Sequence, residues 1–311
     1  ISGNQAICEQ HMGQYPVIFL SLKNVEGSNF ERAKYQMMEL IAKEAARHSD
    51  LRENKALDGN AKKEYEALTT FSNGRYQMTE EALLGSLQTL SELLASHYHK
   101  KTVILIDEYD SPLQHSWKTP EHDACTAIYK SVFAVLKKED EHERFIFITG
   151  ITKFTQISLF SVLNNLSNIS FDAPYATICG ISKQEAAENF IPEIEAMGEE
   201  NGWTPEETLK QLTAFYDGYH FCRKNMVDIF NPFSLINALD DRELRNYWAS
   251  SGATSLLPKF VDDMEMKMEY FDHCFIERDT LETSDVVNGG AELFLYQSGY
   301  LTIKGYDDGV Y

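Results

Sequence analysis

Apolar residues recur along this chain with two different periods, and the balance between them changes near residue 180. Before that point, short β-favouring runs alternate with longer stretches of helical spacing. Tyr15–Leu22 reads as a strand. Ser28 with Glu31 forms a capping-box pattern that opens a helix to about His48. Residues 50–74 are polar and read as an excursion with partial helix. Thr79 caps the next helix, where Leu83, Leu87, Leu90 and Leu94 fall on one face. A strand over 102–107 follows. Thr119-Pro120 marks a helix start running to about Lys138, and strands are expected over 145–150 and 175–180. Strands alternating with helices predict an α/β fold with a doubly wound, largely parallel sheet. Runs as apolar as 103–106 and 145–148 predict that both of these strands are central and covered on both faces.

After Gly180 the strand signal fades. Ser182…Glu185, Thr204-Pro205-Glu206-Glu207 and Asn231-Pro232 are three helix starts, and no further strand is expected before Tyr300–Lys304. Residues 1–180 therefore read as an α/β core and 181–288 as an all-helical second domain. Residues 289–311 read as a short helix ending at Gly299 and the start of a hairpin, with turn chemistry in Asp307-Asp308-Gly309. That last piece reads as a junction that could form a wing.

The strongest chemical signal is Val103-Ile104-Leu105-Ile106-Asp107-Glu108-Tyr109-Asp110. A buried strand that runs into adjacent carboxylates places them where open α/β sheets bind ligands. It is the pattern of the second acidic motif of nucleoside triphosphatases. There an Asp helps to hold Mg²⁺ and a following Glu can activate water. Asp107 is the metal-ligand candidate and Glu108 the catalytic one. The bland alternative is a strand that ends in solvated acids. Asp110 reads either as a residue that orients the neighbouring carboxylates or as a helix cap, and Ser111-Pro112 after it favours the cap. The next apolar strand ends in Thr149-Gly150, so Thr149 is a second catalytic candidate, a polar sensor of the γ-phosphate. Thr152 and Lys153, in the following loop, are candidates for nucleotide contact. Arg144, Arg223, Arg242 and Arg245 could each act as an arginine finger, and nothing in the sequence selects among them.

The partner motif G-x-x-x-x-G-K-[ST] occurs nowhere among the 17 glycines. The chain opens with Ile1 rather than Met, and the expectation is a portion of a longer protein whose phosphate loop precedes Ile1. Loss of the loop in a degenerate ATPase is the alternative. At 43% hydrophobic and 24% charged residues the composition is that of a globular protein, not a disordered one. No run approaches a membrane span. The five cysteines are scattered, which fits reduced thiols in a cytoplasmic protein. His97-Tyr98-His99 and His220-Phe221-Cys222 are weak metal-ligand candidates, with a solvated helix end and a packed loop as the plainer readings. The formal charge of −20 disfavours direct contact with nucleic acid. The acid is concentrated in residues 182–210, with eight Glu against two Lys, and in 261–285, with nine acidic residues against two basic.

Several of these segments together resemble a known family. They are Leu105–Pro112, Thr149–Phe154, Leu159-Phe160-Ser161 with Leu163–Leu166, Asp217-Gly218-Tyr219, Asn231–Ser234 and Gln297–Ile303. The family is the AAA-ATPase-like domain of bacterial proteins that usually carry a C-terminal PD-(D/E)XK nuclease-like domain. The resemblance implies a P-loop NTPase-type core with a helical lid, and ATP and Mg²⁺ as cofactors. It also implies a nuclease-like effector after Tyr311 that ATP turnover would power or gate, and an arginine-rich phosphate loop before Tyr15–Leu22. Any contact with nucleic acid would be indirect, and self-association is left open. A nucleotide-sensing switch or a scaffold that does not hydrolyse ATP are the rival readings.

Overall fold

A computed structural model of the chain describes residues 4–26, 29–54, 57–137, 141–152, 166–248, 274–283 and 289–311. The chain divides into two compact units, Ile1–Leu166 and Ser167–Tyr311. The first is an α/β unit built on a parallel sheet of three strands in the order β1-β4-β5. A helix α1 (Gln5–His11) leads into β1 (Val17–Ser21), then α2 (Phe30–Arg47), α3 (Asp50–Glu53) and α4 (Gly59–Thr69). A two-stranded hairpin, β2 (Phe71–Ser72) and β3 (Arg75–Tyr76), precedes α5 (Glu80–Tyr98) and β4 (Thr102–Asp107). Then come α6 (Ser111–Ser116), α7 (His122–Ala134) and β5 (Glu143–Ile148).

Local chemistry accounts for most boundaries. Asn29 caps α2 by accepting a hydrogen bond from Arg32 N–H; Ser28, the expected cap, lies outside the described residues. Thr79 caps α5 through Ala82 N–H, and Leu83, Leu87, Leu90 and Leu94 are all buried. Thr119-Pro120 does not start α7. The Thr119 hydroxyl donates to Ser116 O and closes the preceding helix instead, so α7 begins at His122.

The sheet is one-sided. Ile18, Leu20, Thr102, Ile104 and Ile106 are buried, on the face against which α2 packs on β1 and α5 on β4. On the other face Phe19 is 49% exposed and Phe145 53%. Among the described residues β4 is central, as expected, whereas β5 pairs only with β4. Among these residues the expectation that both strands are central is met for β4 alone. An apolar run reports that a strand is apolar, not how many neighbours it has. The outer edge of β1 is closed by side chains of α2. Phe19 N–H donates to Glu44, and Arg47 donates to Val17 O at 2.6 Å. An unpaired edge is satisfied without another strand.

In the second unit residues 175–180 form no strand. Pro174 lies in a 3-10 turn over Ala173–Tyr175, and successive turns carry the chain to Gly180. The strand β6 follows at Ile181–Ser182 and pairs antiparallel with β7 (Ile229–Phe230). The region expected to be all-helical therefore contains a small ladder. Around it lie α8 (Lys183–Asn189), α9 (Ile191–Asn201), α10 (Pro205–Tyr216) and α11 (Pro232–Asp241). Complete capping boxes at Ser182/Glu185 and Thr204/Glu207 open α8 and α10. Their shared core holds Met197, Leu212, Phe230 and Leu235. Farther on, α12 (Arg278–Thr283) and α13 (Gly290–Gln297) frame a smaller core of Leu281, Leu293 and Ile303. Gly299 follows α13 with φ +81°, and Asp308-Gly309 turn with φ +42° and +90°. Tyr300–Lys304 joins no ladder. Instead Thr302 and Ile303 are held by His220, through its backbone N–H and its Nδ1.

Candidate functional site at the carboxyl end of the sheet

Parallel pairing brings three strand ends level. Ser21 lies opposite Asp107 across β1 and β4, and Thr149 N–H donates to Ile106 O at 2.8 Å from the β5 side. Asp107 thus sits between the ends of its two neighbours. Its Oδ1 accepts from the Thr149 hydroxyl at 2.6 Å and from Glu108 N–H at 2.9 Å. The two residues that the sequence singled out on separate strands are in direct contact.

Glu108 has φ +52°, in the left-handed region that non-glycine residues rarely occupy. Such strain persists where the surroundings over-determine it, and it clusters at functional sites. Its Oε2 is buried and has no hydrogen-bond partner among the described residues. Burial pushes its carboxyl above the ordinary range. Lys23 opposes this, Asp107 and Asp110 add to it, and a hydrogen bond from Ser21 offsets it in part. Ser21 and Lys23, at and just beyond the end of β1, belong to the site and were not singled out in the sequence. The signal available for them was position alone, since they close the first strand of the same parallel set.

Asp110 stands at the N-cap position of α6 but makes no capping side-chain bond. It is 1% exposed and bonds to residues 151–152 instead. Thr152 is 2% exposed, and its hydroxyl donates to Asp110 at 2.7 Å rather than facing open space. Lys153, Leu159–Ser161 and Leu163–Asn165 lie outside the described residues. Of the arginine-finger candidates, Arg144 lies at a cleft of about 470 Å³ at the amino end of the strands, with Tyr15, Val17 and Phe145. That cleft is at the opposite end of the sheet from the carboxylates and lacks an acidic lining residue. The weak metal candidates are otherwise engaged: His97 with Asp50 and Asn54, His220 with Asp228 and Ile303.

Among the described residues no three His, Cys, Asp or Glu side chains converge on a metal-sized space. That donor set does not fit an all-protein cage. It does fit Mg²⁺, which keeps several waters and binds through one or two carboxylates together with substrate phosphates. No described helix is long and apolar enough to cross a membrane.

No solved structure matches the chain. An uncharacterized protein in the vnfD 5′ region of Azotobacter chroococcum mcd 1 is 29% identical over 206 residues, covering 66% of this chain. The chain spans 37% of the length of that relative. The family model described as "Predicted AAA-ATPase" matches residues 3–160, which takes in the whole three-stranded sheet and both carboxylates of the Asp107-Glu108 pair. The chain belongs to this AAA-ATPase-like family.

Proposed function

We propose that these residues form the metal-binding and water-activating half of an Mg²⁺-dependent ATPase site. One observation carries the reading. At the carboxyl end of a parallel strand a strained Glu108 holds a buried carboxylate oxygen that has no partner among the described residues, beside an Asp107–Thr149 hydrogen bond. Asp107 would ligate Mg²⁺, which when bound supplies charge neutralisation at the phosphates. Glu108 accepts a proton from a water whose oxygen attacks the γ-phosphorus, and the bond to the β,γ-bridging oxygen breaks, giving ADP and inorganic phosphate. The raised carboxyl of Glu108 suits a base, because a higher pKa makes proton transfer more favourable. Thr149 would orient Asp107 and face the γ-phosphate. Lys153 would lie along the nucleotide; Thr152, expected beside it, is buried with its hydroxyl turned to Asp110 and would act from behind Thr149.

The fold supports a P-loop NTPase-type reading in its parallel sheet with carboxylates at strand ends. A doubly wound sheet would place further helices on the face that bears Phe19 and Phe145. Residues 1–180 would be the core, 181–288 a helical lid, and 289–311 a junction to a nuclease-like effector that ATP turnover powers or gates. The phosphate loop would come from outside these 311 residues, so the chain alone should turn over ATP poorly. Thermal shift of the full-length protein with Mg-ATP tests the reading. At about 100 times Kd, binding adds roughly 2.7 kcal/mol. No shift favours the nucleotide-free scaffold. A shift without steady-state turnover favours the sensing switch.

A further inference from the structure

We propose that Asp110 is a positioning residue which, with Tyr109, forms a buried clamp on the backbone of residues 149–152 and so fixes the Thr149 hydroxyl against Asp107. The proposal rests on the ATPase reading of Asp107, Glu108 and Thr149.

The clamp is made by two consecutive residues gripping four. From one side Tyr109 N–H donates to Thr149 O at 3.1 Å, and the Tyr109 hydroxyl donates to Thr152 O at 2.9 Å. From the other, Asp110 Oδ1 accepts from Ile151 N–H at 3.3 Å. Its Oδ2 accepts from Thr152 N–H and the Thr152 hydroxyl, each at 2.7 Å, and from Gln114 Nε2 at 2.6 Å. Gly150 lies between the jaws. A Cβ there would run into Asp110 Oδ1 and come within 2.6 Å of the Tyr109 ring, so only glycine leaves room. Gln114 also reaches the Thr152 hydroxyl at 3.2 Å, which ties the clamp to α6.

Ordinary loop chemistry does not account for this arrangement. Exposed backbone after a strand is satisfied by water, and a cap would accept from the first backbone N–H groups of α6, which the Asp110 side chain does not do. Burying a carboxylate is costly. Here burial outweighs the Thr152 and Gln114 hydrogen bonds and pushes the Asp110 carboxyl upward. The fold keeps a buried acid at a net electrostatic disadvantage, and what it obtains is a fixed geometry for the residue that touches Asp107. Thr152 is thereby a member of the clamp, not a nucleotide ligand.

The test compares wild type, Asp110→Asn, Thr152→Val and the double variant in the full-length protein. It measures amide hydrogen exchange at residues 149–152, equilibrium Mg-ATP binding and single-turnover hydrolysis. Misplacing a reacting group by about 1 Å can lower rates by roughly 10²-fold. Both single variants should therefore hydrolyse at least about tenfold more slowly, with faster exchange at Ile151 and Thr152 and Kd within about threefold. The double variant should be no slower than Asp110→Asn alone, since both remove parts of one unit. Wild-type exchange or wild-type hydrolysis in the single variants overturns the proposal. So does a fall in binding that matches the fall in rate, which would make Asp110 a ligand. If Asp110→Asn does not fold, Thr152→Val decides, because it deletes only the two hydroxyl bonds, to Asp110 and from Gln114, and keeps the backbone donors. If wild type neither binds nor hydrolyses ATP, the ATPase reading falls by itself. The exchange rates then still decide whether Asp110 holds this backbone.

Discussion

Two clusters of buried carboxylate lie against the same three-stranded sheet and differ in almost every physical respect. At the outer edge of β1, Glu44 accepts from Phe19 N–H at 2.8 Å and from Arg47 through both of its oxygens at 2.6 and 2.9 Å. Burial alone would raise its pKa. The hydrogen bonds from Arg47 and Phe19, helped by His48 at 3.7 Å, win, and the carboxyl is held down at about 2. At the carboxyl end of β4, burial wins instead. Glu108 and Asp110 are both pushed up, Glu108 sits in a strained backbone conformation, and one of its oxygens has no partner among the described residues. The first cluster is satisfied and closes an edge. The second is left ready for a proton or a ligand. Burial of an acid therefore does not identify a site; a buried acid whose bonding is incomplete does.

The largest expected effect breaks the comparison at the second cluster. Glu108→Gln keeps the shape of the side chain and removes its basicity. In the full-length protein single-turnover hydrolysis should fall by about 10²-fold or more, while Mg-ATP binding persists. Hydrolysis at the wild-type rate would exclude Glu108 as the base.

The mirror-image substitution is Glu44→Ala. It strips Phe19 N–H and Arg47 of their shared acceptor. Removing one partner of a fully buried pair costs about 3–5 kcal/mol, but Arg47 is half exposed, and about 2 kcal/mol is expected here after solvent screening. Urea unfolding should report this loss with Mg-ATP affinity unchanged. Equal loss of affinity would show that the edge and the site are not separate.

Titration separates the clusters by sign. The Glu44 pKa is depressed from 4.5 to about 2, so its contribution is complete above pH 4.5 and disappears as pH falls toward 2. Glu44→Gln should flatten stability over that window. Glu108 is raised, so its ionisation works against the fold as pH rises above 4.5. Glu108→Gln should leave the acid window alone and raise stability at neutral pH. The same direction of change in both variants would refute the distinction.

The sequence made the second cluster legible and hid the first. Asp107 and Glu108 follow four apolar residues, a pattern tied to one place in an open sheet. Glu44 lies within an amphipathic helix among Lys43, Ala45 and Arg47, where it reads as solvated, and its partner Phe19 is 25 residues away. Asp110 occupies the N-cap position that Ser111-Pro112 signals, but its side-chain partners at 151 and 152 are about 40 residues on and carry no local signal. The three parallel strands were legible as apolar runs, but strand neighbours are a tertiary property, so the single neighbour that β5 has among the described residues was not. The left-handed backbone of Glu108 has no sequence signal, because glutamate, unlike glycine or asparagine, has no preference for it.

The smallest expected effect sharpens the contrast inside the site. Ser21 ends β1 opposite Asp107, and its hydroxyl is the one group from a neighbouring strand end that, as a donor toward Glu108, favours the ionised form of that carboxyl. Ser21→Ala removes the donor without changing the strand. The Glu108 carboxyl should then rise further, because a hydrogen bond to the charged form is lost while burial and the negative charges of Asp107 and Asp110 remain. Hydrolysis requires the carboxylate, so the acid limb of its pH profile should move to higher pH, with the alkaline plateau and the urea midpoint unchanged. At Glu44 no single donor has this leverage, since Phe19, Arg47 and His48 all share the load. A limb that stays in place in Ser21→Ala would mean that another group sets the pH dependence, and the base would have to be sought outside β4.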